Sequence, residues 1–309
     1  MGKRSATHPA PRTLSRRALL ASAAAATTAA ASREIIVASK IDTEGALLGN
    51  LIAQILRAHG LAVRTRLQLG PTAILRQALL HGAIDIYPEY TGNGARFFHK
   101  EGDPAWHNAQ AAWQLVHDLD AANGIVWLKP APADNGWGIA LRRDVASRMR
   151  ATSLADFARF VNAGGSVRLA ASVEFVESPD ALPAFEHAYG FRLRQDQILA
   201  LAGGDTSATI RAAAERISGI TAAMAYSTDG ALAALDMMLL TDPRHAQIEF
   251  QPAPVARAAV LGAYPDIATW LAPTFAALTT NVLRGLNARI AAGGEDPATV
   301  AASFLAGRA

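Results

Sequence analysis

Tyr90, Trp137, Tyr226 and Phe250 are the residues of this chain whose placement points to chemistry. Only 6% of the chain is aromatic, yet these four fall at strand ends or beside proline-rich stretches. Tyr90 follows the apolar run Ile84-Asp85-Ile86-Tyr87 and stands between Pro88 and Gly92. Trp137 closes Asp134-Asn135-Gly136-Trp137, Tyr226 ends Ala223-Met224-Ala225-Tyr226, and Phe250 precedes Gln251-Pro252-Ala253-Pro254. Any one of them alone would serve a hydrophobic core. Open α/β sheets bind ligands beyond the carboxyl ends of their strands, and all four sit there. Catalytic signatures are absent: the chain has no GxSxG, Walker A, HExxH or GxGxxG pattern. Its eight histidines are scattered, with His59 and His81 near helix ends, and there is no cysteine. A binding protein is therefore expected rather than an enzyme, with no metal, no cofactor and no disulfide.

The elements that carry these residues alternate. Ile35–Ser39 reads as a buried strand. A helix capped by Asp42 or Thr43 follows and runs to about Ala58. Leu61–Leu67 alternates as a strand, a helix opens at Gly70-Pro71-Thr72, and Ile84–Tyr87 is the next strand. The middle repeats the grammar. Ser153-Leu154-Ala155-Asp156 resembles a capping box. Val167–Ala171 is a strand, Ser178-Pro179 opens a helix that ends at Gly190, and Asp205 or Thr206 opens another that closes at Gly219. Ile220–Tyr226 is a further strand. Asp205 and Thr206 read first as helix caps. Asp229 reads as a cap or as a fixer of the Tyr226 loop. The sum is an α/β chain with mainly parallel sheets covered by helices. Lys129–Ala133 and Gln251–Pro254 are stiff proline stretches. They read as two crossings between lobes, giving lobe one as 33–134 plus 252–309 and lobe two as 135–251. Ordinary loops within one domain are the alternative.

The first 31 residues read as an address. Lys3, Arg4, Arg12, Arg16 and Arg17 form a basic stretch without an acidic residue, and Ser15-Arg16-Arg17-Ala18-Leu19-Leu20 is a twin-arginine pattern. The Ala-rich segment that follows is too short to span a bilayer, and cleavage is expected after Ala31. The chain as a whole has 29 basic and 26 acidic residues. Without the leader, 24 basic residues remain against 26 acidic. The calculated pI of about 9.4 thus belongs largely to the leader, and nucleic-acid binding is not expected. The mature chain is expected to be periplasmic, monomeric and not embedded in a membrane.

The chain resembles the glycine betaine/choline/osmoprotectant substrate-binding proteins of ABC transporters. The resemblance runs from about Ile35 to the C-terminus. It rests most specifically on Tyr87-Pro88-Glu89-Tyr90-Thr91-Gly92, and more weakly on Val37–Lys40 with Thr43-Glu44, Leu69–Thr72, Tyr226–Gly230 and Ala253–Val255 with Arg257. It implies a two-lobe periplasmic binding protein (type II-like), with a ligand cleft between the lobes and an aromatic cage for a quaternary ammonium group. Tyr90, Trp137, Tyr226 and Phe250 match the cage positions, with Trp and Phe here where tyrosine is common. A trimethylammonium group has no N–H to donate, so ring faces are the groups suited to it. At ~0.5–2 kcal/mol per face, four faces supply about 2–8 kcal/mol gross, which before association and closure costs at best equals the ~8 kcal/mol net of a micromolar complex. A second anchor is therefore expected for a betaine carboxylate. Lys40 matches a ligand-side lysine of the family, and Asn93 and Asn135 can donate hydrogen bonds. Glu174 stands where some relatives offer a basic group, which favours a cation such as choline unless Glu174 pairs with Lys40 or turns away. The implied partners are a small quaternary amine and a membrane permease driven by ATPase subunits. The rivals are another small organic cation, a polyamine or an amino acid on the same fold, a lyase or transferase on a similar fold, and a sensor that signals rather than delivers.

Overall fold

The computed structural model describes residues 1–2, 34–201 and 206–307. Residues 3–31 of the expected leader, and Asp205, lie outside the described residues. The chain divides into two units, Met1–Arg33 and Glu34–Ala309, and every described helix and strand belongs to the second. No described helix is long and apolar enough to cross a membrane.

Two five-stranded sheets organise this unit. The first holds β1 (Ile35–Lys40), β2 (Val63–Gly70), β3 (Ile86–Tyr90), β4 (Ile125–Trp127) and β10 (Pro252–Arg257), in the order β2-β1-β3-β10-β4. The second holds β5 (Trp137–Arg142), β6 (Leu169–Ser172), β7 (Ile198–Leu201), β8 (Ala222–Tyr226) and β9 (Met237–Leu239), in the order β7-β6-β8-β5-β9. Both sheets follow one plan. Four strands run in one direction, three of them as adjacent parallel neighbours, and one strand is reversed and pairs antiparallel on both sides: β10 against β3 and β4, and β5 against β8 and β9. The reversed strand is in each case the first after the chain passes from the other sheet. Its beginning therefore lies beside the ends of the parallel strands. That single topological fact places Trp137 opposite Tyr226 and Pro252, two residues past Phe250, opposite Tyr90.

The inner strands of each sheet are buried on both faces, as expected of sheets covered by helices, whereas the edge strands β2 and β7 are partly exposed. Along β1 the side chains alternate between two cores. Ile35 and Val37 join Leu47, Leu51 and Ile52 of the helix Thr43–Ala58, together with Ile267, Leu271 and Phe275. Ile36 and Ala38 join Leu75, Trp106 and Trp127 on the other face. The second sheet does the same with Ile139, Leu169, Phe157 and Phe185 on one face and Ala140, Ala223 and Ile210 on the other.

Several local expectations shift. β3 starts at Ile86 and runs through Tyr90, so Tyr90 ends a strand rather than following one; pairing with β10 extends the strand. Pro252 and Pro254 are part of β10, not of a linker. Their carbonyls accept from Ala131 (2.8 Å) and Leu128 (2.9 Å), so on the β3 side these residues sit at register positions that require no N–H, and proline is tolerated inside the sheet. Ser178 does not open a helix. It terminates the short helix Val173–Glu177, extended as the residue before proline should be, and the next helix is Leu182–Tyr189. The helix from Thr206 stops at Ala214 rather than at Gly219, where Arg216 and Ser218 take left-handed backbone. The capping box at Ser153–Asp156 forms as read. Asp42 caps the first helix by accepting from Gly45 N–H at 2.6 Å.

The two crossing segments lie against each other. Asn135 N–H donates to the Phe250 carbonyl at 3.0 Å, and Phe250 N–H donates to Asp134 Oδ1 at 2.8 Å. The lobes also touch where Gly230 meets the helix Thr280–Ala291. A Cβ at Gly230 would stand 2.3 Å from the Ala288 nitrogen, so the approach is backbone to backbone and admits only glycine.

Candidate functional site

A cavity of about 710 Å³ lies between the lobes, where strand ends from both sheets face each other. Lys40, Tyr90, Asn93, Asn135, Trp137, Glu174, Tyr226 and Phe250 all line it. The structure thus brings together all eight residues singled out from the sequence, but it gives them unequal freedom.

Glu89 organises the Tyr-Pro-Glu-Tyr-Thr-Gly run from behind the cavity. Its carboxylate is fully buried and accepts from Tyr87 Oη at 3.0 Å, Tyr90 N–H at 2.7 Å and Asn93 Nδ2 at 2.7 Å. Lys40 Nζ completes the set 2.5 Å away. Lys40 and Asn93 each spend a donor on Glu89, which leaves them fewer N–H groups for a solute. Lys40 also lies over the Tyr90 ring, 4.4 Å from its centroid, and so covers one of that ring's two faces. Thr91 ties the motif to the second crossing. Its N–H donates to Gln251 O at 3.0 Å, its hydroxyl donates to Glu249 O at 2.9 Å, and it accepts from Gln251 N–H at 3.1 Å. Gly92 is required by close approach: a Cβ there would lie 2.8 Å from the Phe250 ring and from Glu249 O.

The rings enter from both lobes. Trp137 and Tyr226 face each other in register, with centroids 6.2 Å apart and planes 24° apart. Phe175 buttresses Trp137 edge-on at 6.0 Å. Burial raises the Tyr226 phenol to about 12. The Trp137 indole N–H is buried and lies close enough to the Tyr226 phenol to temper its rise. Asn135 accepts from Thr228 Oγ1 at 2.7 Å, which holds its amide toward the Tyr90 hydroxyl. Asp229 fixes the Tyr226 loop by accepting from Tyr226 N–H at 2.7 Å and makes no side-chain cap bond. Thr206 lines the cavity at the start of its helix.

Glu174 neither reaches Lys40 nor turns away. It stands at the mouth, half-exposed, 3.3 Å from Arg96 of the first lobe, which also approaches Asp180 at 3.6 Å.

Sequence reasoning passed over Glu44, Asn287 and Arg96. Glu44 Oε1 accepts from Tyr90 Oη and Oε2 from Asn287 Nδ2, each at 2.7 Å, and the Thr228 hydroxyl lies within reach. Burial, countered by these hydrogen bonds, leaves its carboxyl raised to about 7, and the nearby Asp42 adds to the rise. The same rule that drew attention to Lys40, placement just beyond a strand end, would have found Glu44. Asn287 lies on a helix near the C-terminus and carries no local signal.

A family model for the substrate-binding domain of the ABC-type glycine betaine transport system matches residues 33–307. The chain belongs to this family, OpuAC. Among OpuAC relatives, the glycine betaine-binding protein YehZ of Escherichia coli K12 is 56% identical over 270 residues, which covers 87% of this chain and 88% of that protein. The solved apo structure of YehZ from Escherichia coli matches with a TM-score of 0.79 at 54% identity, over 89% of this chain and 99% of that one. A crystal structure of a glycine betaine/carnitine/choline ABC transporter matches with a TM-score of 0.76 at 19% identity, over 88% of this chain and 97% of that one, and shares the two-lobe fold. The homologues are substrate-binding transport proteins, and the fold is that of a two-lobe substrate-binding protein.

Proposed function

We propose that this chain is the periplasmic solute receptor of an ABC importer for a quaternary-ammonium compatible solute of the glycine betaine class. The methylated nitrogen would sit among Tyr90, Trp137, Tyr226 and Phe250. One observation carries the reading: four rings from four distant stretches of chain line a single cavity between two lobes. Each face attracts a cation through its quadrupole and needs no N–H on the ligand. Lys40 already exploits one face of Tyr90, which leaves the other for a solute. The cavity is within the usual size range of small-molecule sites, and it is larger than one such solute, so closure of the lobes would tighten it. Binding would favour the closed form by differential affinity, and that form would be offered to the permease. The twin-arginine leader supports export.

For the carboxylate end, Lys40 and Asn93 share their donors with Glu89, and other donors line the cavity beside them. Asn135 lines the cavity with an amide that can donate, and Arg96 lines it at the mouth. The test is calorimetric titration with glycine betaine, choline, carnitine, proline betaine and common amino acids. Quaternary amines should bind and amino acids should not. Truncation of Tyr90 or Tyr226 to alanine should each weaken binding by about 1–2 kcal/mol. Intact affinity in both folded variants would refute the aromatic site.

A further inference from the structure

Four acidic residues are buried in the described chain: Glu44, Asp85, Glu89 and Asp120. Three of them have a basic partner. Asp85 pairs with Arg257 at 3.1 Å, Glu89 with Lys40 at 2.5 Å and Asp120 with Arg76 at 2.6 Å. Glu44, only 5% exposed, has no Lys, Arg or His within ion-pair distance among the described residues. It is also the one of the four that lines the cavity. Its neighbours donate neutral hydrogen bonds from Tyr90 and Asn287. A buried carboxylate without a cation is an incomplete ion pair, and this one opens onto a space walled by aromatic rings.

We infer that Glu44 is the counter-ion of the bound solute: the ammonium of the ligand supplies the positive charge that this carboxylate lacks in the empty receptor. The inference rests on the reading of the cleft as a quaternary-ammonium site and adds the group that meets the charge rather than the methyl surface.

A linkage follows. The empty receptor holds Glu44 partly protonated near neutrality, because burial disfavours its charged form. A cation docking beside it stabilises the carboxylate, and the proton passes to solvent. Other charges do not mask the effect. Asp42, on the cap of the same helix, works in the same direction as burial. On β1, Lys40 is committed to Glu89. On β3, Glu89 is held by its own donors, and Tyr90 is a phenol raised well above its ordinary range by burial. On β2, Arg64 pairs with Glu34 and Arg66 bonds to the Ala83 carbonyl. On the helix Thr280–Ala291, Arg284 bonds to the Ser227 carbonyl and Arg289 pairs with Glu295. The helices Ile267–Ala276 and Pro297–Ala306, also packed on this one, carry no charged residue. Across the cleft, Asp229 holds the Tyr226 N–H.

The experiment is calorimetric titration of the purified chain with glycine betaine and with choline, in phosphate and in Tris, from about pH 5.5 to 8.5. Their different ionisation enthalpies report protons exchanged. The wild-type chain should release a substantial fraction of one proton per ligand near pH 6.5 and almost none at pH 8.5. Its affinity should rise roughly tenfold between pH 5.5 and 8. Glu44→Gln should bind several-fold more weakly at pH 8, release no proton and lose the pH slope. Wild-type binding without proton release across the range overturns the inference, whatever the fate of the variant. A Glu44→Gln chain that keeps the affinity and the slope overturns it equally. Absence of wild-type binding to either probe at every pH overturns the functional reading, and this inference with it.

Discussion

Arg96 of the first lobe and Glu174 of the second meet across the mouth of the cavity, with Arg96 Nη1 3.3 Å from Glu174 Oε1. The helices that carry them follow β3 and β6, so this pair bridges the two lobes at the edge of the cavity. Both side chains are about half-exposed, 48% and 57%, and a pair of this kind contributes about 0–1 kcal/mol. Reversing one charge alone, Glu174→Arg, should loosen the closed form and weaken solute binding by no more than about fivefold. The double reversal with Arg96→Glu should recover most of the loss. Small-angle scattering of the liganded protein and titration at low and high salt check this; a single reversal without effect at low salt contradicts it.

Gly92 lies beneath the Phe250 ring, with no room for a methyl group. Gly92→Ala should displace Phe250 and cost about 1–3 kcal/mol of stability by overpacking. Affinity for the solute should fall as well, because the displaced ring lines the cavity. Thermal unfolding and calorimetry on the same sample separate the two effects.

Glu89 compensates a buried lysine and anchors Asn93 and two tyrosines. Glu89→Gln leaves Lys40 buried beside an uncharged amide. Removing one partner of a buried pair costs about 3–5 kcal/mol, so the urea midpoint should drop sharply. An unchanged midpoint would mean that Lys40 escapes to solvent.

The raised carboxyl of Glu44 also predicts a stability profile for the empty receptor. Its folded value, about 7, lies above the ordinary 4.5, so the folded state binds more protons than the unfolded state between those limits. Stability contributed by this group is full below about pH 4.5 and is lost as pH rises through 7. Compared with Glu44→Gln, the wild-type chain should therefore lose on the order of 2–3 kcal/mol across that window. Urea unfolding of both proteins at pH 5 and pH 8 measures the difference, and parallel profiles would contradict it.

The sequence carried the parallel βα units, the helix caps at Asp42 and Ser153 and the aromatic residues at strand ends, because each is written in local periodicity or in a short motif. It did not carry the reversed strands. β10 contains two prolines and reads as a linker; only its partners, which donate N–H groups to its carbonyls and require no N–H from it on the β3 side, make it a sheet strand. The commitment of Lys40 and Asn93 to Glu89 was hidden for a related reason. Residues within a motif look like ligand contacts until the buried acid between them is placed. Glu44, Asn287 and Thr228 form a polar cluster from positions up to 243 residues apart, a separation that no local pattern can encode.

The most direct test of the account compares two molecules of nearly equal shape. Glycine betaine and 3,3-dimethylbutanoate differ in having nitrogen or carbon at the centre of the trimethyl head, and so in its charge. If four ring faces and a buried carboxylate hold that head as a cation, glycine betaine should bind more than about thirtyfold tighter, the lower limit for four faces at about 0.5 kcal/mol each. Equal affinity for the two would show a cleft that recognises only a methylated shape, and would contradict the central claim.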